Sequence, residues 1–375
     1  MRIGIDARMY GPQSRGLGRY VQKLIDNLAT IDKTNEYFIL LSPDNWDYFH
    51  PTNKNFNKIL VRWHWYSLAE QIFIPLKLRK LKLDIMHFPH FNVPLLYNQK
   101  FIVTIHDLIV SHYPDSRATT LPAWLYKFKL LAYQLVVRHA IVRSYKILAV
   151  SQFTKQDIER YYPQVADKIS VTYEGFSVEH GHSHSIDLQK EYHINKPYIL
   201  HIGAAYPHKN LYRLLQAWKL CQAVLKNKYQ LVIVGRKDYF MNRLEKEAKE
   251  LELDKDVLFL GFVPDEHLAS LYQFSLAYVF PSFIEGFGLP AIEAQSYGVP
   301  VLAANNSSLP EVLGNSALYF DPFDINDISQ TILNVIKDED LKDNLKNLGY
   351  KNYIRFDWQG MAKRVKVIYE ELVKQ

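Results

Sequence analysis

The stretch Leu276-Ala-Tyr-Val-Phe280-Pro281-Ser-Phe-Ile-Glu285-Gly-Phe-Gly288-Leu-Pro290-Ala-Ile-Glu293-Ala-Gln-Ser-Tyr-Gly-Val-Pro300 changes character three times. Residues 276–280 are an apolar run of the length of a buried strand, Gly286 and Gly288 make a loop, and a proline follows where a helix begins. Strand, glycine loop and helix in that order leave the backbone N–H groups of residues 286–289 at a helix N-terminus, where glycines let a ligand approach closely. Such an end attracts phosphate. Two carboxylates bracket it: Glu285 in the loop and Glu293, expected on the first turn of the helix. Carboxylates repel phosphate but accept hydrogen bonds from vicinal hydroxyls, so the pattern implies a ligand both phosphorylated and rich in hydroxyls, as a nucleotide sugar is. Taken singly, Glu293 is equally a favourable charge near a helix start and Glu285 an exposed loop acid.

Working outward, short apolar runs recur at 198–203, 231–234, 257–260 and 301–303, each followed by a helix-length segment or helix start, and in the first half at 2–6, 37–41, 59–62, 85–87, 101–105, 147–150 and 169–172. This rhythm predicts parallel α/β sheets. A chain of 375 residues has room for two such domains. The composition changes at 174–195, with glycines, serines and His180, His182, His184 and His193, which reads as an interdomain linker. The His-x-His-x-His spacing there reads as a solvated loop or, if extended, as a metal site.

Composition excludes several classes. With 48% hydrophobic and 22% charged residues, the chain is that of a soluble globular protein. The lone Cys221 excludes an intramolecular disulfide and a cysteine metal cluster. The strand begins at once after Met1, which leaves no room for a signal peptide and sets a cytoplasmic expectation. The best apolar run, residues 130–137, is interrupted by Gln134 and falls short of a membrane span. Net charge is +6, and residues 71–148 hold eleven Lys or Arg against three acids. These cations accompany no nucleic-acid motif but interleave with Trp124, Tyr126 and Phe128, a pattern open to a membrane surface or to a solvated helix face.

Several residues stand where open α/β sheets bind ligands, at the carboxyl ends of strands. His106 follows 101–105, where a lone histidine also has a structural reading, and His87 and His90, at a preceding strand end, read as ordinary loop histidines or as lining a ligand. Gly16-Leu-Gly18 lies at a strand-to-helix corner without dinucleotide-binding spacing, and is a tight turn unless it meets a ligand. Lys209, in Gly203-Ala-Ala-Tyr-Pro-His-Lys-Asn210, stands just before a helix, where a cation is unfavourable unless an anion is bound. No Asp-x-Asp pair sits at a strand end, so no metal ligands are assigned.

The string Glu285-Gly-Phe-Gly-Leu-Pro-Ala-Ile-Glu293 closely resembles the E-x7-E signature of retaining glycosyltransferases of the GT-B fold, family 4, and the run from Gly16 to Tyr20 matches that family's N-terminal glycine loop. The resemblance covers nearly the whole chain. It implies two Rossmann-like domains facing each other across a cleft: 1–175 on the acceptor side, a linker at 176–195, a donor-binding domain at 196–355, and a helix at 356–375 returning to the first domain. It implies Lys209, with Arg236, on the donor diphosphate beside the Gly203 loop, Glu285 and His106 on the sugar, and Glu293 on ribose. Gly16 and Gly18 approach the diphosphate, the 287–289 amides (Phe287, Gly288, Leu289) meet phosphate and sugar oxygens, and Phe262 and Val263 hold the base. Catalysis then falls to His106, Lys209 and Glu285, with the donor's own β-phosphate assisting departure and accepting the acceptor's proton.

On the same basis there is no cofactor and no metal. The donor is a UDP- or GDP-sugar (GDP-mannose-like or UDP-hexose-like) and the acceptor a glycan or lipid-linked glycan, met in the cytoplasm or peripherally at the inner face of the cell membrane, with no nucleic acid involved. The sequence departs from the family at Ala204, where many members carry arginine; His208 and Arg236 are the nearby candidates to replace it. A GT-B nucleotide-sugar epimerase, a pyridoxal-dependent phosphorylase-like enzyme and a non-catalytic nucleotide-sugar-binding subunit are the competing readings.

Overall fold

Residues 1–113, 122–177 and 186–374 are described by a computed structural model. The first sheet comprises β1 (Arg2–Asp6), β2 (Glu36–Leu41), β3 (Phe56–Leu60), β4 (Ile85–Phe88), β5 (Phe101–Ile105), β6 (Lys146–Ala149) and β7 (Ile169–Val171). All neighbours are parallel, in the order β3-β2-β1-β4-β5-β6-β7. Helices α1 (Arg15–Ile31), α2 (Leu68–Leu81), α3 (Ile109–His112), α4 (Ala123–Arg143) and α5 (Gln152–Tyr161) connect them. Strands buried on both faces read as near-continuous apolar runs, as in β5, where every residue is buried and only Thr104 is polar. β3 lies earlier than the expected 59–62, because Phe56 pairs with Tyr37 in register and stacks on its ring at 4.3 Å.

The second sheet follows α6 (Leu188–Tyr192), which forms within the stretch read as a linker and begins at Asp187, whose side chain caps it. Its strands are β8 (Tyr198–Ile202), β9 (Gln230–Val234), β10 (Val257–Gly261), β11 (Ala277–Phe280), β12 (Val301–Ala304) and β13 (Ala317–Phe320), again all parallel, in the order β10-β9-β8-β11-β12-β13. The edge strand β13 escaped the sequence reading; it is four residues long and only its ends are buried. Between the strands lie α7 (Leu211–Leu225), α8 (Tyr239–Glu250), α9 (Asp265–Gln273), α10 (Leu289–Ser296) and α11 (Leu309–Leu313), and after β13 come α12 (Ile325–Lys337) and α13 (Glu339–Tyr353).

The chain divides into two units: Met1–Gly175 with Phe356–Gln375, and Phe176–Arg355. The closing helix α14 (Trp358–Lys374) packs Met361, Val365 and Tyr369 into the first unit's core beside Tyr20, Leu24 and Leu28 of α1. Tyr369 OH lies 2.6 Å from Nδ1 of His87, which is buried inside β4 and pushed down to about 3 by burial and the neighbouring His106. His87 is thus a core residue, joined through Nε2 to Thr104 (2.8 Å), and not a loop histidine.

Both sheets reverse strand order at one place, between β1 and β4 in the first unit and between β8 and β11 in the second. At such a point the following loops run to opposite sides and leave a crevice beyond the strand ends.

Candidate active site

In the second unit the loops leaving β8 and β11 carry Lys209 and Glu285, and they are laced together. Phe283 N donates to His208 O (2.8 Å), and Asn210 Nδ2 donates to Pro281 O (3.0 Å) and Pro322 O (2.8 Å). Asn210 adopts left-handed backbone geometry (φ 59°) just before α7, which the asparagine side chain tolerates. The result is a short ion pair: Lys209 Nζ stands 2.6 Å from Glu285 Oε1 and 5.7 Å from the centre of the Phe280 ring. Glu285 is buried and Lys209 is largely covered, so their attraction is screened less than at an open surface.

The E-x7-E loop is held from behind by residues the sequence reading missed. Glu285 N donates to Ser307 Oγ (3.1 Å), Ser308 Oγ to the carbonyls of Glu285 and Phe287 (3.0 and 3.2 Å), and Asn306 Nδ2 to Phe283 O (2.7 Å). The polar cluster Asn305-Asn306-Ser307-Ser308 between an apolar run and Pro310 was the available signal. Gly288 opens α10 at φ 101°, and a Cβ there would come within 2.8 Å of Leu309 Cδ2, so both backbone and packing require glycine. The Phe287 side chain is buried and Leu289 is the first residue of α10. Glu293 is the fifth residue of that helix, on its second turn instead of its first, because the helix begins at Leu289. Beneath the loop, Tyr278 donates to Ile202 O (3.2 Å), and its ionisation is suppressed by burial and by the charges of both Glu285 and Glu293.

Around the same strand ends, Gly203, Gly235 and Gly261 are hydrogen-bonded in sequence: Gly203 N to Val234 O, and Gly235 N to Gly261 O. A Cβ on Gly235 would lie 2.1 Å from Gly203 O, so the two loops touch backbone to backbone. Arg236 is exposed just after β9; after β10, Phe262 is exposed and Val263 buried. His208 lies where the β8 and β11 loops meet, its carbonyl accepting from Phe283 N. Burial and the Lys209 charge push it down to about 4, leaving a neutral ring stacked on Tyr206. His201 is likewise pushed to about 4 by burial; its Nδ1 donates to Val279 O (3.0 Å), and its buried Nε2 has no hydrogen-bond partner.

In the first unit, Gly16 and Gly18 fall within the first turn of α1 and not in the preceding loop. They differ in kind. A Cβ on Gly18 would lie 2.1 Å from Gly11 O, whereas one on Gly16 would meet nothing within 4 Å. His106 lies beyond β5 with both ring nitrogens engaged, Nδ1 to Glu174 Oε1 (2.8 Å) and Nε2 to Pro89 O (3.0 Å). A carbonyl only accepts, so Nε2 carries a proton, and the carboxylate holds one on Nδ1. Burial opposes this charge, but Glu174, with the Pro89 carbonyl and Asp107, outweighs it and His106 is raised above the ordinary histidine value. Glu174, read as the start of the linker, is therefore part of the first unit's buried structure.

Among the described residues no group of three or more His, Cys, Asp or Glu is placed to hold a metal ion, and no helix is long and apolar enough to cross a membrane. His180, His182 and His184 lie outside the described residues.

Comparison with known proteins agrees with this arrangement. Residues 186–352 match the family described as Glycosyl transferases group 1, and residues 14–180 match Glycosyltransferase Family 4. The chain is 31% identical over 373 residues to the O-antigen chain mannosyltransferase RfbU of Salmonella typhimurium, covering 95% of this chain and 96% of that one. It is 30% identical over 299 residues to the O-antigen chain mannosyltransferase B of Escherichia coli, covering 79% and 76%. Among solved structures, sucrose-phosphate synthase from Thermosynechococcus elongatus superposes with a TM-score of 0.78 at 18% identity over 99% of both chains. WaaG, a glycosyltransferase involved in lipopolysaccharide biosynthesis, gives 0.74 at 14% over 98% and 99%. At such identities the structural likeness concerns the fold, while the near full-length match to RfbU concerns the sequence: the chain belongs to the GT-B glycosyltransferases of family 4, with a group 1 domain as its second half.

Proposed function

We propose that the protein transfers a hexosyl group, with retention of anomeric configuration, from a nucleotide sugar to a glycan or lipid-linked glycan. The observation that carries this reading is the Lys209–Glu285 pair at the second unit's strand-order reversal, beside the glycine that opens α10. An ammonium has three donors, and Glu285 takes one, which leaves two for a diphosphate. Glu285 keeps a second oxygen for a sugar hydroxyl, Glu293 serves ribose, and the Phe287, Gly288 and Leu289 main chain meets phosphate and sugar oxygens. Phe262 and Val263 flank the base, Arg236 is the second cation, and Gly203 leaves room for the diphosphate. Gly16, Gly18 and His106 are assigned to the same donor.

The leaving diphosphate is stabilised by fixed cations and main-chain donors, and such pre-organised electrostatics is the largest lever for a reaction in which charge develops on a leaving group. No side chain is required as general base, because the donor's β-phosphate accepts the acceptor's proton on the same face. Neither cofactor nor metal takes part. The names of the two mannosyltransferase relatives favour GDP-mannose as donor, and Anabaena HepE, solved with UDP and glucose (TM-score 0.73, 18% identity), keeps UDP-hexoses in the panel.

The test incubates the protein with GDP-mannose, UDP-glucose and UDP-galactose in turn, with lipid-linked and free oligosaccharide acceptors and with EDTA, and reads products by mass spectrometry and proton NMR. An axial product linkage from an axial donor, unchanged by EDTA, is expected. An inverted anomeric centre, a free epimer without acceptor, or donor binding without turnover would overturn it.

A further inference from the structure

At the sheet edge of the second unit, beyond the ends of β12 and β13, lies a cavity of about 410 Å³, within the range of ligand pockets at ~300–1,000 Å³. The segments leaving the two strands form it. They start abreast, because Asn305 N donates to Phe320 O (2.8 Å). The lining includes Asn305, Asp321, Phe323 and Asp327, none of them assigned to the donor. Asn305 and Asp321 are exposed and Phe323 is 60% exposed, so the groups offered to a ligand stand at the accessible surface.

The aromatic wall is fixed in place. Phe323 stacks on Phe283 (ring centres 4.8 Å apart, 16° between planes), and the Arg213 guanidinium lies 5.2 Å from the centre of the same Phe283 ring. On one side of Phe323 in the chain, the buried Pro322 accepts from Asn210 Nδ2 (2.8 Å). On the other, Asp324 caps α12 through the N–H groups of Asn326 and Asp327. A ring held at its backbone and on one face, and open otherwise, receives a ligand with little further ordering.

Charge decides between ligand classes. Among the described residues the lining holds two carboxylates and no cation, which repels phosphate. Each carboxylate already has one oxygen on the main chain: Asp327 Oδ2 accepts from Asp321 N (2.7 Å), and Asp321 Oδ1 from Phe323 N (2.8 Å). Their second oxygens suit hydroxyl protons, and the Asn305 amide both donates and accepts. An ammonium would use the carboxylates and the ring but leave the Asn305 N–H groups without an acceptor, whereas a sugar hydroxyl serves both kinds of partner. We propose that this cavity is a glycan subsite apart from the donor's, taking a neutral hexose unit with its ring on Phe323 and its hydroxyls on Asn305 and Asp321. The cavity stands on the second unit's own residues; that its occupant is part of a glycan rests on the reading of the chain as a transferase with a glycan acceptor.

Phe323 is a surface residue, so its truncation is expected to leave the unit folded, with an unchanged Tm as the control. Saturation-transfer difference NMR on the full chain, with methyl α-mannopyranoside and methyl α-glucopyranoside as probes and spermidine and pyrophosphate as charged competitors, compares wild type with Phe323→Ala and Phe323→Trp. Glycoside ring protons should be saturated in the wild type. Affinity should fall roughly fivefold in Phe323→Ala, the scale of one aromatic contact, and be retained in Phe323→Trp. The added indole of Phe323→Trp should shift its emission on titration with the glycoside. Neither competitor should displace the sugar. GDP and UDP affinities by calorimetry should stay within about twofold in Phe323→Ala, since Phe323 stacks on Phe283 and on none of the residues assigned to the donor.

Absence of saturation, equal affinity in wild type and Phe323→Ala, an unmoved emission in Phe323→Trp, or displacement by either competitor would overturn the subsite; displacement by spermidine alone would make it a cation site. The two readings separate cleanly. Glycoside binding that depends on the Phe323 ring, without any transfer activity, removes the transferase reading and keeps the sugar subsite. Transfer to an oligosaccharide acceptor whose KM is unmoved by Phe323→Ala does the reverse.

Discussion

Lys209 Nζ and Glu285 Oε1 lie 2.6 Å apart, so the cation assigned to the donor's phosphate and the acid assigned to its sugar are each other's counter-ions. Removing either therefore leaves the other without its counter-ion. Lys209→Ala leaves a buried carboxylate uncompensated as well as stripping a charge from the diphosphate, a loss on the order of 2–5 kcal/mol, or tens- to thousands-fold in kcal-equivalent rate. Glu285→Ala should lower turnover while sparing nucleotide affinity. The double variant should fall well short of the product of the two singles, since contacting residues couple by about 0.5–3 kcal/mol. Steady-state kinetics on the four proteins gives the cycle, and strictly multiplicative effects would mean that the ion pair has no part in donor use.

Glu293 is the fifth residue of α10, and its charge, like that of Glu285, acts on the buried Tyr278. If it holds ribose, Glu293→Ala should weaken the free nucleoside diphosphate and the whole donor alike, by roughly tenfold for one lost charged hydrogen bond of ~1.5 kcal/mol. Calorimetry with GDP and UDP reads this directly. Loss of the free nucleotide in Glu285→Ala together with retention in Glu293→Ala would exchange the two roles.

The His106–Glu174 pair gives a pH-dependent difference with a definite sign. The folded state raises His106 above its unfolded value of about 6.5, so the pair's contribution is complete below that value and is lost as pH rises through the folded one. The buried His87 and the partly buried His90 are both pushed down to about 3 by desolvation and by His106, and act in the opposite direction by opposing protonation on acidification. Wild type alone therefore mixes the two. Urea unfolding of wild type and Glu174→Gln from pH 5.5 to 9 isolates the pair: the gap in midpoint should be widest at the acid end and close toward the alkaline end. A gap independent of pH would mean that His106 is neutral throughout.

How far the sequence could be read depended on whether the cause was local. Short runs such as 101–105, apolar but for Thr104, and 277–280 read as strands buried on both faces, and the change from strand to glycine loop to proline at 281–290 marks the helix start within a residue. Glu293 was placed a turn too early because Leu289, and not Pro290, begins α10. What stayed hidden arises between distant segments. Ser307 and Ser308 support Glu285 across more than twenty residues, and Glu174 reaches His106 across 68. The buried Arg8–Glu70 ion pair left one local trace, the capping-box pattern Ser67-Leu-Ala-Glu70, but nothing in that pattern says that Glu70 would turn inward to a residue on β1's far loop.

The last prediction concerns the basic first unit and a membrane surface. On α4, Trp124, Phe128, Leu131 and Leu135 are each more than half exposed and recur every three or four residues, which puts them on one helix face. On α2, Leu68, Ile72 and Leu76 repeat the arrangement, followed by exposed Arg79, Lys80 and Lys82. Lys77 is committed elsewhere, donating to Leu60 O at 2.6 Å, and Arg117 and Asp115 lie outside the described residues. Apolar side chains at headgroup depth with cations beside them are the pattern of reversible attachment, each cation contributing about 1 kcal/mol on anionic lipid. This is the peripheral membrane contact that the sequence leads one to expect with a lipid-linked acceptor. In co-sedimentation with vesicles, binding should require phosphatidylglycerol, fall between 50 and 500 mM salt as the Debye length shrinks from roughly 14 to 4 Å, and weaken when Arg79, Lys80 and Lys82 are changed to Ala. Phe128→Ser with Leu131→Ser should weaken it at every salt concentration, because the apolar part is not screened. Equal sedimentation with neutral and anionic vesicles, or none with either, would assign these cations to solvent and make the acceptor a soluble sugar.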